Sequence, residues 1–225
     1  MPHVPRIRHA LIMAAGRGQR MAPLTDALPK PMAPYRGLTL IVDGILRLSH
    51  ILDFIHITVG YKGAELAQHV IQHDVATVLN TEGHSNSWWL HHTLLRFLDE
   101  PIYVLTCDNI VDLDWERLEK DYEASGSPAC MLVPVQPVEG LEGDFIVRDG
   151  SIVKGVGREL DSDIYCSGIQ ILNPKKVSSM TEDRGSFYDI WSQLIEREEL
   201  HVSEVYPDTW IAIDTWEQLK KANEG

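Results

Sequence analysis

One segment constrains this chain more than any other. The apolar run His9 to Ala15 empties into Gly16-Arg17-Gly18, and from there to Pro34 the chain carries Pro23, Pro29 and Pro31, expected to stiffen an extended loop that holds Arg20 and Lys30. A short apolar run closed by glycine has the length and flanks of a buried strand. When such a strand opens a parallel sheet, ligands sit just beyond its carboxyl end, where the glycines lie. Without Cβ atoms, consecutive backbone N–H groups there can turn toward one anion. Two familiar phosphate loops do not fit. The dinucleotide fingerprint needs a third glycine where this chain has Met21, and a Walker A loop needs a Gly-Lys-Ser/Thr that is absent.

The pattern beyond the turn supports a sheet of this kind. Leu38 to Leu52 repeats apolar residues at helical spacing, Phe54 to Gly60 is strand-like, and Ala64 to Ile71 is helical again. Val75 to Leu79, Pro101 to Thr106 and Ala129 to Val135 read as further strands, with helices expected over Ser85 to Leu98 and Asp114 to Ala124. Such βαβ alternation implies a largely parallel sheet covered by helices. The second half departs from it. A hairpin over Gly143 to Val156 turns at Asp149-Gly150, Gly168 to Leu172 is a strand, Phe187 to Glu198 a helix, and Trp210 to Ile213 a last strand before a C-terminal helix.

Charge narrows the ligand. The formal net charge is -13, which disfavours nucleic acid as a partner. Yet residues 1 to 36 carry Arg6, Arg8, Arg17, Arg20, Lys30 and Arg36 against Asp26 alone, a basic island suited to a small anion. Cys107, Cys130 and Cys166 are odd in number and far apart, so neither a disulfide framework nor a four-thiolate zinc site is expected. With no apolar stretch of spanning length and no signal-peptide core, the expected setting is cytoplasmic and away from membranes. His69 with His73, and His91 with His92, read as solvated helix faces rather than metal ligands.

Gly16-x-Gly18-x-Arg20-Met21-x-Pro23-Leu24-Thr25, followed by Pro29-Lys30-Pro31, resembles the signature of the nucleotidyltransferases that join a nucleoside triphosphate to a phosphorylated small molecule. These are the sugar-1-phosphate type and its phosphocholine cytidylyltransferase relatives. The resemblance implies an α/β fold: a single-domain Rossmann-like three-layer sandwich with a mainly parallel sheet, as in nucleotide-diphospho-sugar transferases. Its nucleotide-binding half would lie at about 1–125 and its acceptor-binding half at about 126–225. It also implies Mg2+ as cofactor, held by Asp108 after the run Ile102 to Leu105 and by Asp214 after Trp210 to Ile213. Ala14, Ala15, Gly16, Arg17, Gly18 and Arg20 would bind the nucleotide, with Arg20 and Lys30 acting on its phosphates.

Departures from the sugar-type pattern bear on the acceptor. Gly83-His84-Ser85-Asn86-Ser87-Trp88-Trp89-Leu90 stands where sugar enzymes are glycine-rich, and is partly similar to the phosphocholine type's Asn-x-Tyr-Ser-Leu. Cys107-Asp108-Asn109 is closer to that type's Ala-Asp-Asn. Asn86 either reads a ligand edge or caps a helix starting near Ser87. Trp88 and Trp89 point about 100° apart on a helix, so at least one of them packs in the core. Trp88, Arg158, Tyr165 and Trp191 are the candidates for the acceptor side, while Gly143-Asp144-Phe145 and Ser167-Gly168-Ile169 are similar to the acceptor half of sugar enzymes.

The expected reaction moves a nucleoside monophosphate, from CTP ahead of other triphosphates, to a phosphocholine-like acceptor for a surface glycan, releasing pyrophosphate. Three alternatives stay open: a sugar-1-phosphate nucleotidyltransferase, a glycosyltransferase with Asp108 and Asp112 as its metal pair, and a non-catalytic nucleotide-binding module.

Overall fold

The computed structural model describes residues 7–138 and 143–224, so Arg6 of the basic island lies outside the described residues. In chain order the strands are β1 (His9–Met13), β2 (Pro34–Tyr35), β3 (Leu38–Thr39), β4 (Phe54–Val59), β5 (Thr77–Asn80), β6 (Ile102–Thr106), β7 (Asn109–Asp112), β8 (Cys130–Val135), β9 (Phe145–Asp149), β10 (Ile152–Gly157), β11 (Tyr165–Leu172), β12 (Leu200–Val202) and β13 (Thr209–Ala212). Contacts gather the chain into two compact units, each threaded from separate stretches. One comprises Arg8–Asn86, Leu105–Ile110 and the C-terminal stretch from Ile211; the other holds Ser87–Val104 and Val111–Trp210.

In the first unit the strand order is β5-β4-β1, continued by the end of β6. β1 pairs parallel with β4, and β4 with β5, with His9 opposite Phe54 and His56 opposite Thr77. β1 is buried along its three central residues, Ala10, Leu11 and Ile12, as a continuous apolar run requires. In the second unit the order is β6-β11-β8-β12-β10-β9. Here β8 pairs parallel with β12 but antiparallel with β11, and β9 and β10 form the expected hairpin, with Gly150 at φ 58 in its turn. The class is α/β with a large mixed sheet.

Local signals set the helices. Thr39 caps Leu40–Ser49 by accepting from the Val42 N–H, and Leu40, Ile41, Val42, Ile45 and Leu48 form its buried stripe. Asp114 caps Trp115–Ala124 through the Arg117 N–H, and a reciprocal Ser186–Asp189 capping box opens Phe187–Ile195. No helix among the described residues is long and apolar enough to cross a membrane.

Two expectations are corrected. The helix expected over Ser85 to Leu98 is one α-turn, Trp89–His92, followed by a 3₁₀ segment, Leu94–Phe97. Thr93 makes the break: its backbone is extended, and its hydroxyl donates to the Trp89 carbonyl while accepting from the Leu95 N–H. The proline-rich segment is not an extended loop either. It folds into short turns at Gln19–Met21, Leu24–Ala27 and Lys30–Met32, because Pro31 sits where a helical turn has no N–H to lose.

The parallel strands also carry a histidine pair. His9 Nδ1 lies 3.0 Å from His56 Nε2, and His56 Nδ1 lies 2.8 Å from the Thr77 hydroxyl. Burial, and then the neighbouring His9, push the His56 pKa down to about 4. Between pH 6.5 and 4 the unfolded chain therefore binds a proton that the folded chain refuses, so stability is full above the unfolded value and falls as pH drops through this window. About 3 kcal/mol is at stake, from roughly 1.4 kcal/mol per pKa unit. Denaturant titrations from pH 7 to 4 are expected to show this loss, and His56→Gln to flatten the slope. An unchanged slope in the variant would assign the acid sensitivity to other groups.

Candidate active site

Everything at the end of β1 belongs to the first unit. Ala14 donates its N–H to the Thr58 hydroxyl at 3.1 Å, and the Ala15 carbonyl accepts from the Tyr61 N–H at 3.1 Å. Together these lock the chain to β4 as it leaves the sheet. Gly16 then lies in the open: a Cβ added there would meet nothing within 4 Å. Gly18 is the opposite case. Its φ is 68, in the left-handed region, and an added Cβ would fall 2.6 Å from Lys30 Cβ. Its carbonyl accepts from the Thr25 hydroxyl at 2.9 Å and from the Met21 N–H at 2.9 Å. The threonine and the second glycine of the motif thus brace one another.

Packing explains why residues so distant in sequence meet. Met21, Ala33, Tyr35, Leu40, Ile110, Ile213 and Leu219 form one buried cluster. Met21 anchors the turn, Ala33 follows Lys30–Met32, Ile110 sits two residues after Asp108, and Ile213 immediately precedes Asp214. Burying a side chain such as Met21 is worth about 1.5–3 kcal/mol, and here the same burial fixes the polar residues alongside. Two hydrogen bonds finish the alignment: the Ile213 N–H donates to the Asp108 carbonyl at 2.9 Å, and Gln218 Oε1 accepts from the Asp214 N–H at 2.7 Å.

The result is a four-charge cluster. Lys30 Nζ donates to Asp108 Oδ2 at 2.6 Å and to Asp214 Oδ1 at 2.9 Å, and Arg20 Nη2 lies 2.9 Å from that same Asp214 oxygen. Lys30 is only 7% exposed. Burial by itself would lower its pKa, but the Asp108 charge and hydrogen bond, aided by Asp214, outweigh this and raise it above the ordinary lysine value. The residue is therefore a fixed cation, not a base. Cys107 stays a thiol, its pKa pushed up by burial and then by Asp108.

Beside the turn is a cavity of about 400 Å³, lined by Ala15, Gly16, Arg17, Tyr61, Glu82 and Asn86 among others. The Arg17 guanidinium lies over the Tyr61 ring at 5.1 Å and pairs with Asp26 at 3.4 Å. Asn86 is exposed on this wall, and the turn Trp89–His92 begins from Trp88 without a side-chain cap. Tyr61 and Glu82 were not anticipated. Tyr61 had a signal: it follows Gly60 just past β4, as Arg17 follows Gly16 past β1.

The acceptor-side candidates lie in the second unit. Trp89 is fully buried, whereas Trp88 is half-buried and stacks on His92, the rings 4.9 Å apart. Trp191 and Tyr165 are each 9% exposed and largely committed to packing: the Trp191 indole donates to Gln170 Oε1 at 3.0 Å, and Tyr165 meets Phe145 edge-to-face. Arg158 is exposed, with Nε 3.6 Å from Asp144 Oδ1. The Tyr188 hydroxyl donates to that same oxygen at 2.5 Å. Asp144 and Tyr188 thus join Arg158 in one polar cluster. Gly143 is pressed on the Tyr165 ring, where an added Cβ would come within 2.5 Å.

Other carboxylates and histidines serve the fold. Asp114 is a helix cap, and Asp112, exposed, offers its carbonyl to the Asp208 N–H. His69 hydrogen-bonds the Thr39 hydroxyl and His92 pairs with Asp183.

Known proteins share this architecture. The inositol-1-phosphate CTP transferase from T. maritima superposes with a TM-score of 0.76 at 16% identity, covering 98% of each chain. The CTP:phosphocholine cytidylyltransferase LicC from Streptococcus pneumoniae gives 0.74 at 21% identity, covering 97% of this chain and 99% of its own. At these identities the likeness is one of fold. Among curated sequences, the bifunctional protein GlmU of Methanocaldococcus jannaschii is 28% identical over 111 residues, 49% of this chain and 27% of its own length. The chain spans between about a quarter and just over half of the length of this and two other curated relatives. The pattern of one family runs through the glycine turn, the Lys30 segment and the Asp108 strand end, matching residues 10–142, and on it the chain belongs to the MobA-like NTP transferase domain family.

Proposed function

We propose that the chain is a nucleotidyltransferase, moving a nucleoside monophosphate from a triphosphate to a phosphorylated small molecule with release of pyrophosphate. The observation that carries this reading is the buried Lys30 ammonium held between Asp108 and Asp214 beside an open glycine turn. An acceptor phosphate, with a second pKa of about 6, is mostly dianionic at neutral pH and needs no general base. Lys30 cannot act as one in any case. Its work is to hold positive charge, from a side chain that is itself buried, where phosphoryl charge shifts during in-line displacement. Arg20, more exposed, gathers the triphosphate, and the N–H groups about Gly16 approach it without a Cβ in the way.

Mg2+ is part of the reading. Asp108 and Asp214 bring hard oxygen donors to one point, and Mg2+ usually takes one or two protein carboxylates and completes its shell with water and phosphate. Among the described residues no group of three or more His, Cys, Asp or Glu forms a self-sufficient metal cage, which suits an ion that shares its shell with substrate. When bound, Mg2+ would neutralise charge on the triphosphate.

Two features support CTP and a small polar acceptor. Glu82 lines the cavity and offers a carboxylate that suits the exocyclic amine of cytosine and not the oxygen of uracil in its place. Asp144, flanked by Tyr188 and near Phe145, Tyr165 and Trp191, suits a cationic or hydroxyl-bearing head group. The relatives that act on sugar-1-phosphates keep those acceptors as the second reading.

Four triphosphates screened against phosphocholine, related phosphorylated amino-alcohols, inositol-1-phosphate and sugar-1-phosphates, with pyrophosphate as readout, test both levels. CTP with a phosphorylated amino-alcohol is expected to react fastest. A clear preference for another triphosphate or acceptor would revise the specificity, and no pyrophosphate from any pair would overturn the proposal.

A further inference from the structure

Lys30, Arg20, Asp108 and Asp214 sum to zero charge, and this neutrality has consequences before any substrate arrives. Two cations already touch the single oxygen Asp214 Oδ1, and Asp108 Oδ2 is held by the lysine at 2.6 Å. A divalent ion approaching the pair would have to displace an ammonium that is almost wholly buried and whose stem is backed by Gly18. It would also meet two positive charges at close range, where electrostatic repulsion in a partly buried site is large.

We infer that Lys30 is the resident counter-ion of the Asp108–Asp214 pair, and that it excludes divalent metal until a triphosphate draws its ammonium away. The inference rests on the nucleotidyl-transfer reading of the same site. An incoming triphosphate reverses the sign of the local field, giving Lys30 and Arg20 new anionic partners and leaving the two carboxylates uncompensated. Gly18 supplies a mechanical link. The turn assigned to the phosphates packs so closely on the lysine stem that a Cβ at Gly18 would fall 2.6 Å from Lys30 Cβ, so a shift of the turn toward the stem must displace it. Metal and nucleotide would then bind as a coupled pair, each favouring the other through the same lysine.

The test uses the full chain without nucleotide, with Mn2+ as the probe, titrated by electron paramagnetic resonance. Lys30→Met keeps the length of the stem and removes the charge. Wild type is expected to bind Mn2+ at least tenfold more weakly than Lys30→Met, and Lys30→Met/Asp108→Asn to lose the gain. Equal affinity in wild type and Lys30→Met would overturn the inference, as would a gain that survives the second substitution, because the ion would then sit elsewhere. Should Lys30→Met fail to melt cooperatively, Lys30→Gln takes its place. On wild type alone, a melting temperature raised by MnCl2 without nucleotide would also count against the inference. Failure of the functional reading shows up separately: the metal gain would hold in Lys30→Met while wild type releases no pyrophosphate from any pair in the screen.

Discussion

Lys30→Ala is expected to lower pyrophosphate release by about 100- to 1000-fold, the usual cost of removing one preorganised charge from a site of this kind. The loss should fall on kcat more than on KM, because the ammonium is assigned to charge that develops in the transition state, while Arg20 and the glycine turn remain to bind the triphosphate. Stability should suffer less than activity. The substitution leaves Asp108 and Asp214 facing each other, and removing one partner of a buried pair is costly when the remaining charge is sealed from water. Here the two carboxylate side chains keep 23% and 21% of their surface exposed, and Arg20 still touches Asp214. A loss of roughly 1–3 kcal/mol is therefore expected, within what a domain of 5–15 kcal/mol tolerates. Steady-state rates together with a thermal melt decide the matter. A cooperative transition with near-normal turnover would remove Lys30 from the chemistry, whereas loss of the transition would leave Lys30→Met as the variant to measure.

How far the sequence foretold this arrangement depended on the kind of signal each residue carried. β1, β6 and β8 are apolar runs long enough to stand out, and the ends of such strands in an open sheet are where ligands go, so Gly16 could be picked from pattern, whereas Asp108 was named through the motif resemblance. Lys30 and Asp214 needed more. Nothing local says that residues 184 positions apart share a hydrogen bond, and what joins them is the burial of Met21, Ile110 and Ile213 in one cluster. That cluster gives physical meaning to the methionine and the isoleucine beside the polar motif. Glu82 lacked periodicity and a charge partner that would mark it, and Tyr61 was marked only by its place after Gly60 at the end of β4. β7 and β12 are four and three residues long, too short for alternation to register. The proline segment misled for a different reason. Proline stiffens an extended chain, but it also starts helical turns, and which role wins depends on where the neighbouring N–H groups find acceptors. Here the Met32 and Ala33 N–H groups find the Pro29 and Lys30 carbonyls, and a turn results.

The two glycines of the turn should respond very differently to the same small change, and that contrast gives the second large expected effect. Gly18→Ala places a methyl group 2.6 Å from Lys30 Cβ and 2.8 Å from its Cδ. The first of these atoms is fixed to the backbone and cannot swing away, so the turn or the Lys30 segment must move. The left-handed φ of 68 adds a cost of about 1–2 kcal/mol for any residue with a Cβ. Gly16→Ala meets neither obstacle, because its Cβ points into open space and its φ is not in the left-handed region. A displacement near 1 Å in a positioned catalytic group can cost about 100-fold in rate. Gly18→Ala is therefore expected to lose about that much turnover, with a lowered melting temperature. Gly16→Ala should melt like wild type and lose no more than about tenfold, through crowding of the approaching phosphate. If the two variants lose activity equally while Gly18→Ala keeps its melting temperature, the contact between the turn and the lysine stem has no part in placing the ammonium. If only Gly18→Ala is crippled, and Gly18→Ala with Lys30→Met is no slower than Lys30→Met alone, the glycine acts through the lysine, since two residues serving one step are non-additive.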